Sequence, residues 1–87
     1  MTIIDLYNKG YLGIQLKPGV GYLKLEGQDE DGQPVTQVVE PDRIYQVTYL
    51  SPEEGVGLFE IDKDNSVAFR LNEKIWDYTS TYTDVLN

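Results

Sequence analysis

The chain is expected to fold as a mainly β protein: a small meandering barrel or curved antiparallel sheet of five to seven strands, with a short N-terminal helix. Two observations lead to this. Apolar side chains recur at every second position over Leu12, Ile14 and Leu16, and again over Val67, Phe69 and Leu71, the period at which one face of a strand is buried and the other is wet. Between the apolar runs lie tight-turn signals, among them Pro18-Gly19, Asp31-Gly32 and Lys63-Asp64-Asn65, at spacings that suit short antiparallel strands. The 87 residues make a single domain. It divides into a helical N-terminus (1–10), a β core (11–76) and a polar, Tyr- and Thr-rich end (77–87).

Each element has its own local reason. In the opening TIIDLYNKG, Thr2 is placed to cap a helix of one or two turns, Asp5 sits near its positive end, and Gly10 stops it. Ile3, Ile4 and Tyr7 are its expected buried stripe. A first strand follows from Tyr11, with Leu12, Ile14 and Leu16 inward. After the Pro18-Gly19 turn a second strand, residues 20–26, should place Gly21, Leu23 and Leu25 on one face. Residues 27–34, GQDEDGQP, form a polar loop with Asp31-Gly32 as its hairpin signal. A weaker strand over 35–39 ends at Glu40-Pro41-Asp42. Residues 44–50 are the most β-prone run, with Tyr45, Val47 and Tyr49 expected on one side. SPEEG (51–55) is a loop. Residues 56–62 and 66–71 form a hairpin, and Asn72 caps a short turn over 73–76. The last segment, DYTSTYTDVLN, is rich in β-prone Tyr and Thr and contributes either a closing strand or a tail. The former is preferred because Trp76, Tyr78 and Tyr82 are costly to leave in water.

Composition narrows the function. The chain has no His and no Cys, and fifteen Asp and Glu face seven Lys and Arg, for a formal charge of −8. Without His or Cys there is no Ser-His or Cys-His pair, no Cys/His zinc site and no disulfide. Carboxylate-only catalysis is the remaining enzymatic route, and a domain this small has little chain to spare for a substrate cleft. The expectation is a protein that is not an enzyme and needs no cofactor. A negative surface is repelled by phosphate backbones and anionic lipid, so neither nucleic acid nor membrane is an expected direct partner. The absent cysteines and an N-terminus without a basic, then apolar, leader fit the cytoplasm.

In a strict up-and-down sheet, alternate turns lie at the same end. One end would then gather Glu26, Asp29, Glu30, Asp31, Glu53, Glu54 and Glu73, with Lys24 and Lys74 as the nearby bases. Solvated loops explain such charge in most proteins. The sharper expectation is a carboxylate-rich pole presented to a basic surface of a partner protein, as an inhibitor that takes the place of nucleic acid would present it. The alternative is a structural or assembly subunit pairing through β-edges and Tyr-rich faces, with homo-oligomerisation open. A third, weaker reading is a small-molecule or divalent-cation binder. Asp62, Asp64, Ser66 and Glu73 partly copy a calcium loop, but Val67 stands where the sharp turn needs Gly and Arg70 where an oxygen ligand belongs. The glycines of GVGYL and GVGLF do not precede a helix, so they cradle no phosphate; Gly13, Gly21, Gly55 and Gly57 are expected instead to mark curvature or bulges.

Overall fold

The computed structural model describes residues 2–63 and 65–81. It consists of α1 (Ile3–Asn8) followed by seven strands: β1 (Leu12–Leu16), β2 (Leu23–Gln28), β3 (Pro34–Val39), β4 (Tyr45–Ser51), β5 (Val56–Asp62), β6 (Asn65–Arg70) and β7 (Trp76–Ser80). Five of them form a curved sheet in the order β6-β5-β4-β1-β7, antiparallel at every pairing, and β2 and β3 form a separate two-stranded sheet. The mainly β architecture expected from the alternation is present as a curved sheet rather than a closed barrel.

Helix α1 is short and tightly capped. The Thr2 hydroxyl accepts from the Asp5 N–H at 3.2 Å while the Asp5 carboxylate accepts from the Thr2 N–H at 3.1 Å, a reciprocal capping box. Those bonds hold the Asp5 carboxyl below its usual pKa. At the other end Tyr11 N–H donates to Leu6 C=O and Gly10 N–H to Tyr7 C=O, with Gly10 at φ 77°, which is the Schellman pattern. The buried stripe differs from expectation. Leu6 is buried and Ile3 and Tyr7 are partly so, whereas Ile4 is exposed, because Leu6 and Tyr7 fall three and four places after Ile3 and so share its face.

Leu12, Ile14 and Leu16 are all buried as the alternation requires. β7 lies along β1 from Leu12↔Ser80 to Leu16↔Trp76, so the start of the C-terminal segment is a closing strand; residues 82–87 lie outside the described residues. In β4 the alternation breaks. Tyr45 and Val47 point inward, but a register shift between Val47 and Tyr49 turns Leu50 inward and leaves Tyr49 exposed, as an extra residue in one strand must do.

The core centres on aromatic rings contributed one each by four strands. Phe59 (β5) lies 5.2 Å from Tyr45 (β4), 5.5 Å from Phe69 (β6) and 5.8 Å from Trp76 (β7), all with tilted or edge-on rings, the arrangement that the ring quadrupole favours. Gly57 makes the close packing of Phe69 feasible: a Cβ there would sit 2.7 Å from the Phe69 ring and 2.8 Å from the Tyr49 carbonyl oxygen.

The main departure from the sequence reading is at β2. The alternation predicts a strand that begins at residue 20 and continues a meander from β1. The observed strand begins at Leu23 and pairs with β3 alone. Gly19 and Gly21, with φ 91° and 76°, turn the chain away from β1 in a conformation that other residues rarely adopt. The β2–β3 hairpin is therefore an arm attached to the sheet by side chains rather than by a hydrogen-bonded ladder. Its anchors are fully buried Val39, partly buried Leu23 and Leu25, and a 2.8 Å bond from the Glu40 N–H to the Tyr45 hydroxyl.

Candidate functional site

The arm ends in a short acidic turn built by its own side chains. Asp29 and Gln33 close it through an Asp29 N–H bond to Gln33 C=O, and Gly32 N–H returns to Asp29 C=O, both at 3.0 Å. Asp29 Oδ1 accepts from the N–H groups of Asp31 and Gln33, each at 2.9 Å. Residues 30–32 thus form a three-residue hairpin loop, with Gly32 at the positive-φ position. One carboxylate oxygen of Asp29 organises the backbone, while Glu30, Asp31 and, on the last part of β2, Glu26 face solvent.

The arm's direction decides which acids meet. Leu23 and Leu25 border a cleft with Val56, Arg70, Asn72 and Ile75. Farther along, Glu26, Gln28 and Pro34 border a second cavity with Leu58, Ser66 and Ala68. Since Val56 pairs with Arg70 and Glu60 with Ser66, β2 runs antiparallel beside β6 and carries its tip past Ser66. The β4–β5 turn lies at the opposite, Val56 end. Hence the seven carboxylates are not gathered at one pole. Glu26, Asp29, Glu30 and Asp31 form an arm group with Lys24 as the one base on β2. Glu53 and Glu54 occupy the β4–β5 turn, and Glu73 follows Leu71, whose N–H donates to Gly55 C=O at 2.9 Å. The expectation of a single end failed because it assumed a continuous meander.

All seven side chains are exposed. Two ion pairs form among the described residues, Lys17–Asp77 at 3.6 Å and Arg43–Glu40 at 3.4 Å, and neither involves the seven. Asp62, part of the calcium-loop resemblance, accepts both bonds from the Asn65 side-chain amide at 2.9 Å. Among the described residues no three carboxylates converge as a metal-ligand set, and no helix is long and apolar enough to cross a membrane.

Two features escaped the sequence reading. The cleft between β2 and the β5–β6 hairpin has a volume of about 500 Å³ and an apolar lining that includes Leu23, Leu25, Phe69 and Trp76, with Arg70 as its single charged side chain. Arg70 places one positive charge in an otherwise uncharged lining. Gly21 permits the turn that takes β2 away from β1, but the gap beside β6 depends on the pairing of β2 with β3, which no local pattern announces. The second feature is a strip on the outer face, where Tyr49 and Leu58 are 44% and 37% exposed and paired across β4 and β5. Comparison with protein-family models, with curated proteins and with solved structures finds no match.

Proposed function

We propose that the protein is a non-enzymatic binding module whose acidic arm engages a basic surface on a partner protein, in the manner of an inhibitor occupying a site that otherwise holds nucleic acid. The observation that carries this is the arm group: Glu26, Asp29, Glu30 and Asp31 are exposed, free of ion pairs among the described residues, and mounted on a self-braced hairpin. Such a group acts over roughly a Debye length, about 10 Å at 0.1 M salt, and its main effect is on encounter rate and partner choice. Glu53, Glu54 and Glu73, at the other end of the sheet, add to the net negative charge rather than to the field at the arm.

The test is capture of partners from host extract on immobilised protein, followed by association kinetics with the captured species. Neutralising Asp29, Glu30, Asp31, Glu53 and Glu54 to Asn or Gln should slow association by at least about tenfold, since steered encounters exceed neutral ones by that much or more. Wild-type binding should weaken steeply with salt, and nucleic acid should compete. Unchanged kinetics together with salt-insensitive binding would reject the proposal. A second reading, an assembly subunit, is favoured by the exposed Tyr49–Leu58 strip. It requires concentration-dependent self-association that Tyr49→Ser abolishes and that charge neutralisation leaves intact.

A further inference from the structure

We infer that the cleft between β2 and the β5–β6 hairpin is a binding site for a small amphipathic organic anion, an apolar chain or ring carrying one carboxylate. At about 500 Å³ the cleft falls within the ~300–1,000 Å³ that ligand sites usually occupy. Leu23, Leu25, Phe69 and Trp76 line it; Phe69 and Trp76 are also part of the rigid aromatic core. An apolar body entering the cleft meets preformed walls, which lowers the ordering cost of binding.

The sign of the head group comes from the two cavities along the same seam. They share Ala68, and each contains one charged residue: Arg70 in the larger and Glu26 in the smaller. Arg70 has no ion-pair partner among the described residues, so its guanidinium is available to take a carboxylate in two parallel hydrogen bonds. Glu26 repels the same group from the neighbouring cavity. Together they direct an anionic head to the Arg70 end and its apolar remainder along Leu23 and Leu25. This site shares Glu26 with the acidic arm but uses none of Asp29, Glu30 and Asp31, so its test is separate from that of the acidic-arm proposal.

Trp76 is the only tryptophan in the chain and lines the cleft, so its emission reports occupancy directly. The probes are decanoate, decanol and decylamine below their aggregation concentrations, followed by Trp76 fluorescence and in parallel by calorimetry. Decanoate should bind saturably and more tightly than either analogue. Arg70→Gln, an exposed substitution, should weaken decanoate about tenfold, the ratio equivalent to 1.4 kcal/mol, and leave decanol within about twofold. Ala68→Leu should fill the shared wall and weaken decanoate and decanol alike. The inference is overturned if neither method detects saturable decanoate binding up to about 1 mM, if decanol or decylamine binds as tightly as decanoate, or if Arg70→Gln leaves decanoate binding unchanged.

Discussion

The five-stranded sheet and the β2–β3 arm use the same kind of strand for different ends. In the sheet, Tyr45, Phe59, Phe69 and Trp76 are buried and interlocked across four strands. In the arm, β2 alternates half-buried and exposed residues, and β3 buries only Val39 fully. Stability therefore resides in the sheet. Arm residues that bear little of the packing are free to carry charge, and a solvent-exposed loop on a rigid support is where binding residues tend to concentrate.

The sharpest break between the two regions should come from removing a ring. Phe69→Ala is expected to destabilise by about 3–5 kcal/mol, whereas Val38→Ala on the exposed face of the arm should change stability by less than about 0.5 kcal/mol. Urea denaturation of both variants measures the contrast. Similar losses would mean that the arm is as integral to the core as the sheet.

A paired glycine experiment probes the same division at smaller amplitude. In Gly57→Ala the new methyl meets the Phe69 ring at 2.7 Å, while in Gly27→Ala the nearest atom is 3.9 Å away. Overpacking should cost the first about 1–3 kcal/mol. The second should lie within about 0.5 kcal/mol of wild type. Equal effects would show that the close contact at Gly57 is absent in solution.

Within the arm, Asp29→Ala removes the acceptor of two backbone bonds and should cost about 0.5–1.5 kcal/mol. Asp29→Asn retains an oxygen acceptor and should cost less. Amide exchange at Asp31 and Gln33 reads this locally: it should accelerate in the alanine variant and much less in the asparagine one. Equal acceleration in both would mean that the charge, rather than the acceptor geometry, holds the turn.

The smallest expected effect is a pH dependence at the sheet edge. Burial pushes the Tyr78 hydroxyl above the ordinary tyrosine pKa and Glu73 adds to the shift, with the Asn72 backbone opposing it. A hydroxyl kept neutral by the fold stabilises the native state below the unfolded value of about 10, and this contribution is lost as pH rises through the folded value. Tyr78→Phe should therefore lose less stability than wild type between about pH 9 and 11. Parallel declines would contradict the shift.

Local chemistry was legible in the sequence wherever one segment determined it. The Thr2 cap, the Gly10 stop, the alternation in β1 and β6 and the hairpin of residues 56–71 all depend on neighbours a few places apart. What escaped depended on pairing partners. Nothing local distinguishes a second strand that continues from β1 from one that swings away to pair with β3, although Gly19 and Gly21 permit the turn. That one choice separates Asp29, Glu30 and Asp31 from Glu53, Glu54 and Glu73 and opens the cleft beside β6. The bulge in β4, which exposes Tyr49 and buries Leu50, was likewise hidden, because a bulge is a property of two strands in register.

Partner binding by the arm's carboxylates, as proposed, is tested by differential capture from host extract on three immobilised proteins: wild type, the arm variant Asp29→Asn/Glu30→Gln/Asp31→Asn, and the turn variant Glu53→Gln/Glu54→Gln. The expected result is a basic protein retained by wild type and by the turn variant, released by added salt, and missing or at least about tenfold depleted on the arm variant. Retention of the same proteins in the same amounts on wild type and the arm variant would contradict the claim.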